Sequence, residues 1–142
     1  MKRTRLHRES VKHHQRADEC RDMRHELVLS VGRCEMCGHD PTNHSAGLIS
    51  WRLDCHEIAS GPNRQKALDK PFGLLVLCWW CNSEEATDKV KWPEARQLAL
   101  LKSRRPWDYN LAAYNELVGP ALRGAPNRIT EAEVDAELRR LT

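Results

Sequence analysis

The order of apolar and polar positions divides this chain into short elements of different period. Ser10 to Leu29 is polar for most of its length and closes on Leu27-Val28-Leu29 ahead of Gly32, which predicts a helix with a late apolar end. Leu48 to Cys55 alternates, with Ile49, Trp51, Leu53 and Cys55 on one side and Ser50, Arg52 and Asp54 on the other. Period two predicts a half-buried strand. Carried to His56, that strand sets the imidazole beside Asp54 and Arg52 on its polar face. Gly73 to Leu77 is continuously apolar and predicts a second, fully buried strand that can pair with the first as a ribbon. The stretch from Ala59 to Lys66 between them reads as a loop with a basic end.

Downstream, Asn82 followed by Glu85 has the form of a helix N-cap with an acidic third residue, so a helix is expected to start there. Trp92-Pro93 opens another, with Pro93 at the first helical position, an apolar stripe of Ala95, Leu98 and Leu101, and an end before Pro106. Asp108 is the expected cap of a helix through Val118, stopped by Gly119-Pro120. Arg123 to Arg128 reads as a linker, and Thr130 with Glu133 forms a capping-box pattern for a last helix to Leu141. Residues 1–30 are thus read as a basic helical arm, 31–90 as a core, 91–122 as a helical extension, and 123–142 as a linker with a short helix.

Composition sharpens this picture at one point. A chain of 142 residues with 30% charged residues, one Phe and two Tyr has a thin apolar core, so a metal with a folding role fits it. Four of the six cysteines form two Cys-x-x-Cys pairs, Cys34 with Cys37 and Cys78 with Cys81. Each spacing lets one tight turn present two sulfurs, and four thiolates complete a tetrahedral zinc shell. Disulfides and a thioredoxin-like redox pair are the competing readings. The βαβ context for the second is missing, and the basic N-terminus has no apolar secretory region, so a reducing, cytoplasmic compartment is expected. His39 or His44 is an alternative ligand. Cys20 and Cys55 are unpaired by spacing and expected to be small buried residues. No apolar run is long enough to span a membrane.

The net charge of +3 is mild but uneven. Residues 1–25 hold eight Lys or Arg against four Asp or Glu, which suits either phosphate contact or a solvated helix face. Lys102, Arg104 and Arg105 admit the same two readings, phosphate contact or favourable placement at a helix C-terminus. Trp79 and Trp80 either stack on bases or shield the zinc thiolates.

The order of Cys34-x-x-Cys37, His56-Glu57-Ile58 and Leu77-Cys78-x-x-Cys81-Asn82 resembles the HNH branch of the His-Me finger (ββα-metal) endonucleases. It is the version braced by two Cys-x-x-Cys knuckles, and the phage-type members with His-Glu-Ile are the most similar. The resemblance covers about residues 34 to 88. It implies an α+β fold with a small, treble-clef-like ββα-metal core stapled by a four-cysteine zinc site and flanked by helices. It implies DNA as partner and hydrolysis of a phosphodiester with Mg2+ or Mn2+. In this chain Asn82 takes the place of the helix ligand, or else only caps that helix. Alignment on Ile58 puts His56 at the metal position and Glu57 at the base position. An unperturbed pKa of about 6.5 suits His56 itself as base, and Asp54 completes the titratable trio. The chain departs from the family pattern at Gly73, where the middle Asn is expected, and at Ser83-Glu84-Glu85, where a basic residue is usual. A zinc-stabilised DNA-binding module without catalysis and a zinc-stabilised protein-interaction domain are the alternatives.

Overall fold

The computed structural model describes residues 15, 16, 18–40, 52–119 and 129–142. Most of the basic arm, Trp51, His44 and the 123–128 part of the linker lie outside them. The described residues form α1 (Arg21–Val31), β1 (Leu53–Glu57), β2 (Leu74–Cys78), α2 (Glu94–Arg104), α3 (Leu111–Val118) and α4 (Glu131–Leu141), an α+β arrangement. None of their helices is long and apolar enough to cross a membrane.

β1 and β2 pair antiparallel, from Leu53 opposite Cys78 to Glu57 opposite Leu74. Alternation gives one face to Leu53, Cys55 and Glu57 and the other to Asp54 and His56. α1 lies on the first face, where the Cys55 thiol donates to the Arg24 carbonyl at 3.6 Å. α2 lies on the second, where Gln97 meets His56. With a helix on each side, every residue of β2 is buried, which explains its unbroken Leu-Leu-Val-Leu pattern. Each of these buried side chains contributes about 1.5–3 kcal/mol relative to exposure. The core continues through Ile58, Leu98, Leu101, Tyr114 and Val134.

A two-stranded ribbon leaves both outer edges with unpaired backbone groups, and burial makes them costly. Side chains, with the backbone N–H of Glu35, close both edges here. On β2, Val76 N–H donates to Glu35 Oε2 at 2.7 Å, Val76 C=O accepts from Glu35 N–H at 2.8 Å, and Leu74 C=O accepts from Arg105. On β1, Cys55 C=O accepts from Arg24 Nη2 at 2.9 Å, and Cys55 N–H donates to Asp54 Oδ1 at 2.8 Å.

The helices depart from their expected starts in ways that have local causes. Pro93 is the N-cap of α2 rather than its first residue, since its ψ of 160° is extended. Asn110, not Asp108, caps α3 by accepting from Ala113 N–H at 3.0 Å; Asp108 is drawn instead to Arg105 Nη1 at 2.6 Å. α4 has the expected capping box between Thr130 and Glu133, and Gly119 ends α3 with a φ of 64°. The helix expected at Asn82 is a five-residue π-helical turn, Cys81–Glu85, in which Ala86 N–H reaches back to Cys81 C=O at 2.8 Å. Lys102 pairs with Glu131 and Asp135 of α4, and Arg104 and Arg105 bind Glu35, so all three cations are engaged inside the protein.

Candidate metal centre and adjoining cleft

α1 stops at Gly32, whose φ of 69° lets its N–H return to Val28 C=O at 2.9 Å. A left-handed residue there is free for glycine and strained for others. The chain then turns through Cys34 to Cys37, with Gly38 N–H on Cys34 C=O at 2.8 Å. The second pair lies at the end of β2, so strand pairing and the Glu35 bonds to Val76 bring the two turns together. The Sγ atoms of Cys34, Cys37, Cys78 and Cys81 all fall within 4.8 Å of one another, and Cys37 and Cys78 are 3.9 Å apart. Tetrahedral zinc with Zn–S of about 2.3 Å requires sulfurs about 3.8 Å apart. The cluster can therefore hold a metal ion, and its all-thiolate composition suits a structural zinc. No histidine belongs to it among the described residues.

As thiols, two of these groups resist ionisation. Burial pushes Cys37 up to about 11 and Cys81 well above its ordinary range, the latter helped by the charge of Cys34. Burial also raises Cys34, but backbone hydrogen bonds from Cys37, Cys78 and Met36 outweigh it, and its net shift is downward. A cation replacing the protons resolves this conflict, so binding releases protons.

Trp79 and Trp80 lie within the second pair and remain 47% and 52% exposed, so neither is a buried shield of the thiolates.

Beside β1 lies a cleft of about 460 Å3 that brings together Asp54, His56, Glu57 and Asn82 with Arg24, Arg64 and Lys89. A wider groove of about 710 Å3, lined by Arg21, His25 and Arg52, shares Arg24 and Asp54 with it. All four residues singled out from the sequence for a second site thus border one depression. Their surroundings differ. Asp54 is exposed and accepts from Cys55 N–H. Glu57 is buried, with Arg24 Nη2 at 3.7 Å and Arg64 Nη2 at 3.8 Å from its carboxylate oxygens.

His56 is only 8% exposed, and each ring nitrogen faces an amide: Nδ1 lies 2.9 Å from Asn82 Oδ1, and Nε2 lies 2.9 Å from Gln97 Oε1. Asn82 therefore turns its side chain to the histidine and not to the backbone of its own turn, which overturns the N-cap reading. Burial lowers the His56 pKa, against the opposing effects of the Gln97 and Asn82 hydrogen bonds, and so favours the neutral ring. A neutral imidazole nitrogen beside an amide oxygen is a donor pair that a hard divalent cation accepts.

Gly73 is buried, and its carbonyl accepts from Ile58 N–H at 3.0 Å. A Cβ there would stand 3.3 Å from the Ala67 Cβ, so the packing admits no ready side chain at this position. Gln97, Glu35 and Arg24 escape a reading by motif. The one signal for Gln97 was a polar residue adjoining the apolar stripe of a helix.

Comparison with known proteins adds no family: no family model, no curated protein and no solved structure matches this chain.

Proposed function

We propose that this chain is a metal-dependent DNA endonuclease of the HNH kind, acting in the cleft beside β1 on a zinc-stapled, treble-clef-like ββα-metal core. The observation that carries this reading is the meeting of His56 and Asn82, 26 residues apart, at 2.9 Å in a cleft bordered by Arg64 and Lys89. His56 and Asn82 would hold Mg2+ or Mn2+, whose chemistry when bound is to neutralise charge on the departing 3′-oxygen. With Nε2 of His56 held by Gln97 and Nδ1 given to the cation, the base role falls to Glu57, which takes the proton of the attacking water. Arg24 and Arg64 fix the orientation of its carboxylate. Asp54 sits at the open side of the cleft, and the cations of the adjoining groove offer contacts to flanking phosphates.

Supercoiled-plasmid nicking by zinc-loaded protein tests the reading, with Mg2+ or Mn2+ and with EDTA, beside His56→Ala purified identically. Cleavage that requires the divalent ion and disappears in the variant is the expected result; equal or absent cleavage by folded protein sinks it.

A second reading is a DNA-binding module of the same architecture without catalysis. It is favoured by the filled space at Gly73, where the HNH pattern expects Asn, and by the two guanidiniums that occupy Glu57. It gives salt-sensitive DNA binding and no cleavage with any metal.

A further inference from the structure

Gln97 is 0% exposed on α2, in a position that an apolar side chain would fill without needing any partner. A buried amide is costly unless its groups are bonded. Here they are. Gln97 Nε2 donates to Trp92 C=O at 2.8 Å and to Ala86 C=O at 3.2 Å. Turning the amide over would set its oxygen against both carbonyl oxygens, so the two backbone acceptors decide which end of Gln97 faces His56. That end is Oε1, 2.9 Å from His56 Nε2, and an oxygen there requires a proton on Nε2.

We infer that Gln97 is a positioning residue that locks His56 as its Nε2–H tautomer and so aims an unprotonated Nδ1 at Asn82 and the cleft. The inference rests on the reading of His56 and Asn82 as a divalent-cation pair. The chain of causes runs from backbone to cleft: carbonyls of Ala86 and Trp92 orient Gln97, Gln97 orients the imidazole, and the imidazole turns its Nδ1 lone pair to the Asn82 amide. Among the described residues no backbone acceptor decides which end of Asn82 faces the ring, so without a cation its Nδ2–H donates to Nδ1, and its oxygen takes that place when a cation lies between the two. Both carbonyls belong to the segment joining the second cysteine pair to α2, so Gln97 links that segment to the cleft, as Asn82 next to Cys81 also does. Removing the Gln97 acceptor frees the ring to take the opposite tautomer, in which Nδ1–H donates to Asn82 Oδ1 and no lone pair is left for a cation.

The test uses the full, zinc-loaded chain labelled with 15N-histidine, with the His56 signals assigned against His56→Ala. Long-range 1H–15N correlations are expected to show a proton on Nε2 and none on Nδ1. In Gln97→Leu the proton moves to Nδ1, and Mn2+ affinity, read from the free-ion electron paramagnetic resonance signal, falls about 10- to 100-fold, the usual cost of losing the outer partner of a metal-bound histidine. Leu101→Val, a core change on the same helix, leaves tautomer and Mn2+ affinity as they were. Wild-type protein with the proton on Nδ1, or without Mn2+ binding, overturns the inference even if Gln97→Leu fails to fold. So does a folded Gln97→Leu protein with unchanged tautomer and affinity. Wild-type protein that shows the Nε2–H tautomer and binds Mn2+ but does not nick DNA supports the role of Gln97 and counts against hydrolysis alone.

Discussion

Glu35 and Arg105, 70 residues apart, meet with Arg105 Nε donating to Glu35 Oε1 at 2.6 Å, both side chains nearly fully buried. The pair does more than neutralise itself. Glu35 takes the Val76 N–H, Arg105 takes the Leu74 C=O, and Asp108 holds the other arm of the guanidinium. Since Glu35 also stands between Cys34 and Cys37, this one pair ties the first cysteine turn, the outer edge of β2 and the end of α2 together.

Breaking the pair from one side should be severe. Glu35→Leu leaves the buried Arg105 with the Asp108 carboxylate alone and strands the Val76 N–H, and it is expected to cost about 3–5 kcal/mol, the range for breaking a buried ion pair from one side. The double variant Glu35→Leu/Arg105→Met should recover part of that loss, because no charge is then stranded. Urea unfolding of the zinc-loaded proteins measures both. A single-variant loss under about 1 kcal/mol would show that the pair is not the edge closure described here.

The sequence announced some of this architecture and hid the rest for physical reasons. Gly32, the two cysteine pairs, the apolar run of β2 and the Thr130–Glu133 capping box are local signals, complete within a few residues, and each lies where its pattern put it. Asp108 and Asn82 carried local capping signals that other partners overrode, Arg105 only three residues before the one and His56 26 residues before the other. Glu35, Arg24 and Gln97 belong to no motif. Each is a polar residue whose role exists only once a strand edge or an imidazole is brought to it from 31 or more positions away.

The four sulfurs make a prediction about folding. One zinc per chain should be measured by elemental analysis, and chelation should abolish the cooperative near-ultraviolet transition as well as release the metal. Cys78→Ser should do the same without chelator, because Cys78 is buried at the end of the core strand. Chelated protein that keeps a cooperative transition and its near-ultraviolet spectrum would deny the metal its folding role.

Both tyrosines of the chain give a pH test away from the cysteine cluster and the cleft. Burial raises the Tyr114 phenol, with Glu94 accepting its proton at 2.7 Å, and burial with Glu131 raises Tyr109 in the same way. Folded pKa values above the unfolded value of about 10 mean that the native state binds more protons, so this stability is complete below pH about 10 and is lost as pH rises beyond it. Native protein should therefore show no phenolate absorbance at pH about 10, while protein in urea ionises about half of its phenols. Tyr114→Phe should flatten the alkaline loss of stability. Phenolate appearing at that pH with the fold intact, and missing in Tyr114→Phe, would contradict the Glu94 bond.

The placement of cations separates two groups that look alike in the sequence. Arg52 and Lys89 border the groove and cleft, and Arg52 has an exposed side chain, whereas Lys102 is held by Glu131 and Asp135, and Arg105 by Glu35 and Asp108. If DNA runs along β1, Arg52→Ala and Lys89→Ala should each reduce the slope of log affinity against log salt by about 1, one phosphate contact apiece. Lys102→Ala should leave that slope unchanged and weaken only the packing of α4 on α2. Fluorescence anisotropy of a labelled duplex over a salt series measures all three, with catalysis suppressed by EDTA too dilute and brief to strip the zinc, as verified by elemental analysis. Equal slopes for the groove variants and the wild type would move DNA off this face, and a changed slope in Lys102→Ala would move it onto the α2–α4 side.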